Sequence, residues 1–311
     1  MEEIQASLMR KALFLILVFS LLLSACQRTP STAAADKKNI VVTYSVLGSL
    51  VKELVGNQAN VTVLIPNGQD PHEWEPSAKD IETLMKADLI IQNGLGLEGG
   101  LQKTLSQAAK AGVKTFIASR YITVRKVGKG EGIPNSGADQ AIGSPDPHIW
   151  TDPLTMKQVV SALTDYLSAN LEMDVSTNAK DLENRLDNLN TEITKDVNKL
   201  PEADRKLVTG HESLGYFAQR YGFKLIGAII PSLSSQAEVS AADMAALKTQ
   251  IEENQVKAIF SELGTPPSIT NAIGSETGVK VVPLSTHILP ADGSYFTFMR
   301  NLAQTIVDNL R

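Results

Sequence analysis

The chain has 311 residues, a formal net charge of −5, 43% apolar residues and a single cysteine, Cys26. One cysteine excludes an internal disulfide. The acidic balance, with no basic run, argues against nucleic acid as a partner.

The N-terminal stretch reads as a targeting segment. Met9-Arg10-Lys11 precedes an apolar run from Ala12 to Leu23 broken only by Ser20. That run is shorter than the roughly 20 residues a membrane-spanning helix needs, and it has the length of a secretory h-region. Glu2 and Glu3 do not suit a positive n-region, which leaves Met1 and Met9 both open as the start of translation. Leu23-Ser24-Ala25-Cys26 resembles the bacterial lipobox. The resemblance implies that residues 1–25 are a signal peptide, that Cys26 becomes the lipid-bearing first residue, and that the lipid anchors the chain to a membrane. The small, polar stretch through residue 38 reads as a tether.

Beyond the tether, short β-branched runs alternate with amphipathic stretches, the pattern of an α/β fold with parallel sheets. Strands are expected at 40–44, 61–65, 89–92 and 113–117, with helices at 47–55, 78–86 and 101–111 between them. The Gly-, Pro- and Asn-rich stretch 128–146 reads as an exposed loop. Asp152-Pro153 is a helix start, with Asp as cap and Pro at the first helical position. The next segment, 176–200, repeats apolar residues at spacings of three and four: Leu182, Leu186, Leu189, Ile193, Val197 and Leu200. Without internal Gly or Pro, it predicts one long helix acting as a rigid strut. Strand-helix alternation then resumes and ends in a helix over 294–310. The expected organisation is an N-terminal lobe over 39–175, a linker helix over 176–200 and a C-terminal lobe over 201–311.

The chain's two tryptophans and two of its four histidines fall in matched phrases, "DPHEWEP" at Asp70–Pro76 and "DPHIWTDP" at Asp146–Pro153. His211 follows the predicted strand 207–209, and His287 follows the strand 279–284. Ligands of open α/β sheets bind beyond the carboxyl ends of strands, where His72, His211 and His287 are expected. His148 sits at the N-terminal side of a helix. Asp70 and Asp146 are candidate acceptors behind the imidazoles, and the tryptophans candidate apolar walls.

These phrases, with "HESLGYFAQRYG" and "AIFSELGTPP", give the chain from about Asn39 to Arg311 a resemblance to the metal-binding solute-binding lipoproteins of bacterial ABC importers, the zinc-uptake and adhesin-lipoprotein family. The resemblance implies two parallel-sheet α/β lobes joined by one long rigid helix, with the metal in the cleft between them. It implies His72, His148 and His211 as metal ligands. The fourth ligand is His287, with Asp292 as second choice. The resemblance further implies an exported, periplasmic or lipid-anchored monomer at the outer face of the cytoplasmic membrane. Its partners would be a divalent metal ion and an importer permease.

Manganese sites of the family carry carboxylates at the third and fourth positions, whereas imidazole suits zinc. Zn²⁺ is therefore the expected cargo, with Mn²⁺ the alternative because the loop 128–146 lacks the histidines many zinc carriers place there. A zinc hydrolase is the main rival. "HESLG" has the His-Glu pair, but Gly215 stands where a His-Glu-x-x-His motif needs its second histidine, and no Gly-x-Ser-x-Gly segment occurs. An enzyme is not expected, and nothing in the sequence argues for an adhesin role.

Overall fold

A computed structural model describes residues 37–131 and 142–311, with isolated positions 4, 5, 7 and 9. The apolar run of the signal segment, Cys26 and the tether as far as residue 36 lie outside the described residues. Lys38 already belongs to the first strand. Among the described residues no helix is long and apolar enough to cross a membrane.

The first half forms a four-stranded parallel sheet in the order β2-β1-β3-β4. Its strands are β1 (Lys38–Tyr44), β2 (Ala59–Ile65), β3 (Leu89–Gln92) and β4 (Lys114–Ile117). Ile40, Val41, Val42, Ile90 and Ile91 are all buried, as central parallel strands covered on both faces require. The crossovers run through α1 (Ser45–Val55), α2 (Ala78–Met85) and α3 (Gln102–Lys110). Because β2 and β3 flank β1 on opposite sides, the order reverses there and opens a crevice at the carboxyl ends of β1 and β3. The helix α4 (Pro153–Leu171) starts as expected, with the Asp152 side chain accepting from Leu154 N.

The second half pairs β5 (Lys206–Thr209) with β6 (Lys224–Ala228), and β7 (Ala258–Ser261) with β8 (Lys280–Pro283), all in parallel. β5 and β7 lie side by side. The two pairs are separate two-stranded sheets, and their spatial order β6-β5-β7-β8 repeats that of the first sheet. Helices α6 (Gly215–Tyr221), α7 (Ala241–Glu253) and α8 (Pro267–Thr277) make the connections, and α9 (Tyr295–Leu310) closes the chain.

The long helix α5 spans Ser176–Val197, a 22-residue element of about 33 Å. It ends three residues before the expected boundary. Its apolar face is buried throughout, against α4 and α1 of the first half and α9 of the second. One hydrophobic cluster accordingly contains Leu47, Leu186, Leu207 and Phe298 together. A smaller one, with Leu247, Ile259 and Ile273, lies in the second half. The strut is thus a packed backbone for both halves, and residues 38–311 form a single compact unit. The closing helix has no free-standing role: Tyr295 donates its hydroxyl to Trp150 O at 2.8 Å, and its backbone N–H to Ser49 Oγ at 3.1 Å.

The expected exposed loop 128–146 needs correction at its ends. Lys126 and Pro145 form an antiparallel bridge, and Val127 N donates to Ser144 O at 2.9 Å. Asp146 is fully buried. Composition hid this because burial of Asp146 depends on Arg125, a partner 21 residues away in sequence that turn chemistry does not encode.

Leu186 is fully buried at the middle of α5, where truncation leaves a cavity. Leu186→Ala should lower unfolding free energy by about 2–5 kcal/mol in denaturant titration. A loss under about 0.5 kcal/mol, the range of surface substitutions, would mean that α5 does not seat in the shared core.

Candidate metal centre

The two Asp-Pro-His phrases fold alike. Asp70 Oδ1 accepts from His72 N at 2.9 Å, and Asp146 Oδ1 accepts from His148 N at 2.9 Å. Each Asp closes a local turn over the intervening Pro, so each histidine emerges from a fixed backbone. The copies diverge in their remaining contacts. Asp146 Oδ1 also takes the Nδ1–H of His148 at 2.9 Å, while its Oδ2 receives Arg125 Nη1 at 3.0 Å. Asp70 Oδ2 instead receives the Ser235 hydroxyl of the second half at 2.7 Å. Asn93, at the end of β3, donates Nδ2 to Pro147 O at 2.8 Å and so ties the His148 loop to the sheet.

The tryptophans do not share one role. Trp150 is fully buried, with its ring centroid 5.3 Å from those of both His148 and His287. Its indole N–H donates to Thr286 O at 2.8 Å. Trp74 is half-buried against the core of the first half, and no ring contact to a histidine occurs for it among the described residues. Only one of the two expected walls stands at the site.

His211 and His287 enter from the loops after β5 and β8. Their rings stack at 5.4 Å with planes 18° apart. Glu262, immediately after β7, lies behind them. Its Oε2 is 3.2 Å from His211 Nδ1, an ion-pair separation without the angle of a hydrogen bond. The same oxygen accepts from Thr286 Oγ1 at 2.7 Å, and Thr286 Oγ1 is 2.9 Å from His287 Nδ1. With its hydroxyl proton given to Glu262, Thr286 accepts from His287 Nδ1–H. These partners assign the proton of His148, His211 and His287 to Nδ1 and leave each Nε2 lone pair facing inward.

The four imidazoles converge. Nε2 of His148 lies 3.3 Å from Nε2 of His72 and 3.1 Å from Nε2 of His211. One nitrogen from each of the four histidines falls within 4.8 Å of the others. Metal–nitrogen bonds of 2.0–2.1 Å in a tetrahedron give edges of about 3.3–3.4 Å, so the His72–His148 edge already has that length and the His148–His211 edge is slightly shorter. His287 Nε2 is buried without a protein partner, which is costly for a polar atom and is what a ligand atom requires. Asp292 stays apart. It is exposed and accepts from Ser294 N at 3.0 Å and Thr297 Oγ1 at 2.7 Å at the start of α9.

Burial sets the protonation of the cluster. It pushes His72 down to about 3 and His287 down to about 4, with His211 adding to both shifts. It also lowers His148, again helped by His211. His211 is the exception. Burial lowers it too, but the Glu262 carboxylate outweighs burial and the net shift is upward. Glu262 shows the reverse balance: burial raises it, while His211 and the Ser213 hydroxyl bring it below the usual carboxylate range. Of the four histidines, His211 is therefore the one that holds an added proton to the highest pH.

A hydrolase motif is excluded by space as well as by sequence. A Cβ at Gly215 would lie 2.1 Å from Asp146 Oδ2 and 2.4 Å from Arg125 Nη1. No histidine fits at that position. Glu262, Arg125, Thr286 and Ser235 escaped the sequence reading. For Glu262 a signal existed, because it stands directly beyond a buried strand, the same placement that singled out the histidines.

The family described as zinc-uptake complex component A, periplasmic, matches residues 40–309. The zinc-binding lipoprotein AdcA of Streptococcus pneumoniae is 31% identical over 271 residues, 86% of this chain, which spans 53% of that protein's length. The manganese-binding lipoprotein MntA of Halalkalibacterium halodurans is 26% identical over 310 residues, 96% of this chain and 97% of its own. Among solved structures, the periplasmic zinc-binding protein TroA of Treponema pallidum superposes with a TM-score of 0.74 at 26% identity, over 88% of this chain and 99% of its own. With a match that runs from β1 to α9 and a histidine cluster built from both halves, the chain belongs to the zinc-uptake complex component A family of metal-binding solute-binding proteins.

Proposed function

We propose that this chain is an extracytoplasmic solute-binding lipoprotein that captures Zn²⁺ through His72, His148, His211 and His287 and delivers it to an ABC-type importer. It works as a monomer held at the outer face of the cytoplasmic membrane by lipid on Cys26. The first lobe, 39–175, supplies two ligands and the second, 201–311, supplies the other two. The observation that carries the reading is the donor set: four buried imidazoles, three with Nδ1 anchored, and no carboxylate among the converging atoms. Imidazole favours zinc, whereas manganese favours carboxylate and water. Four protein ligands close a tetrahedral shell and leave no open position for a reacting water, which supports a carrier rather than a hydrolase.

In competition calorimetry, zinc should displace manganese and bind at least about a hundredfold more tightly, the combined direction of ligand softness and the Irving–Williams order. Equal or inverted affinities would assign the site to manganese. His148→Ala removes the imidazole that lies closest to two others and should abolish high-affinity zinc binding while the chain still unfolds cooperatively. Undiminished affinity would remove His148 from the ligand set.

The pH dependence follows from His211. Its added proton must leave for zinc to bind, and its pKa, raised above the ordinary histidine value, holds that proton in place at every pH below that value. Below the ordinary histidine value of about 6.5, zinc affinity should therefore fall by about tenfold per pH unit down to about pH 5. The fall should steepen only near the values of His287 and His72, about 4 and about 3. A slope of several protons between about pH 6.5 and 5, or none, would contradict this distribution of charge.

A further inference from the structure

We propose that Glu262 is a positioning residue that aims two imidazoles from different loops, those of His211 and His287, at one cation. This inference rests on the zinc reading above and deepens it. Glu262 is buried, and both of its oxygens are committed. Oε1 accepts from Gly210 N at 3.0 Å. Oε2 accepts from the hydroxyls of Ser213 and Thr286, each at 2.7 Å, and lies 3.2 Å from His211 Nδ1. Through Thr286 the same oxygen reaches His287 Nδ1, 2.9 Å from the Thr286 hydroxyl.

One carboxylate thus fixes the tautomer and rotation of two ligands whose loops follow different strands, β5 and β8. Its charge also faces a cation bound to four neutral donors, as do the charges of Asp70 and Asp146 of the first half and of Glu212 beside His211. The backbone is shaped for this approach: a Cβ at Gly210 would fall 2.8 Å from Glu262 Cβ and 2.9 Å from Glu262 N. Because its oxygens are held by Gly210, Ser213 and Thr286, Glu262 stays behind the imidazoles rather than entering the shell as an oxygen ligand.

The test measures zinc affinity by competition with a chromogenic chelator for the unaltered chain, Glu262→Gln, Thr286→Val, His287→Ala and the double variant Thr286→Val/His287→Ala. Outer-shell partners of metal-binding histidines typically contribute about 10–100-fold in affinity. Thr286→Val should weaken zinc by about tenfold, and Glu262→Gln by more, since it serves two rings. In the His287→Ala background Thr286→Val should cost nothing further, because the ring it orients is gone. A merely structural contribution of Thr286 would persist in that background. The proposal is overturned if Glu262→Gln and Thr286→Val bind zinc as the unaltered chain does, or if Thr286→Val costs the same with and without His287. Should Thr286→Val fail to fold, Thr286→Ala carries the same pair of expectations. Absence of zinc binding in the unaltered chain would instead overturn the functional reading, and this inference with it.

Discussion

A buried imidazole with an unanchored ring is a poor ligand: it can rotate, swap tautomers or take up a proton. The whole arrangement depends on fixing Nδ1 so that Nε2 faces inward. His148 is fixed by Asp146, which is itself held by Arg125, and burial still pushes Asp146 up to about 6. His287 is fixed by Thr286, and His211 by the charge of Glu262. Each anchor lies on the side of the ring away from the centre. Together they aim three Nε2 lone pairs at the place where His72 Nε2 also lies, and without a cation four polar atoms would face one another.

That convergence requires the two halves to meet in a fixed relation, and the packing of α5 and α9 supplies it. Both helices bury their apolar faces in a cluster shared by the two halves. Closer to the site, contacts bridge the halves directly: Ser235 to Asp70, Arg220 to Asp152 in a two-point ion pair, and Trp150 to Thr286 O. His72 and His287 are 4% and 3% exposed, and His148 and His211 are fully buried. A hydrated cation cannot reach nitrogens so enclosed, so exchange requires contacts such as Asp70–Ser235 to part. The continuous core behind the site limits how far the halves can swing.

Much of this was legible in the sequence, for physical reasons. Strands with both faces buried read as continuous β-branched runs, and the period of Leu182, Leu186, Leu189 and Ile193 marks the buried face of α5. The Asp-Pro-His repeat encodes a local turn, so its histidines could be picked out and given acceptors without a structure. What the sequence concealed depends on contacts between distant segments. Asp146 reads as loop composition until the Arg125 guanidinium is seen to pair with it. The two tryptophans look equivalent because their local phrases match, yet only Trp150 faces the second half. Asp292 and His287 were rivals for the fourth position because both follow the last strand. The Asp292 side chain turns to α9, whereas Glu262 and Thr286 hold His287 inward.

X-ray absorption at the zinc edge of the metal-loaded chain tests the central claim most directly. Four nitrogen scatterers at about 2.0–2.1 Å, with the outer-shell pattern of imidazole rings from all four histidines, are the predicted result. A shell of five or six ligands dominated by oxygen, or one that fits no more than two imidazoles, would contradict it.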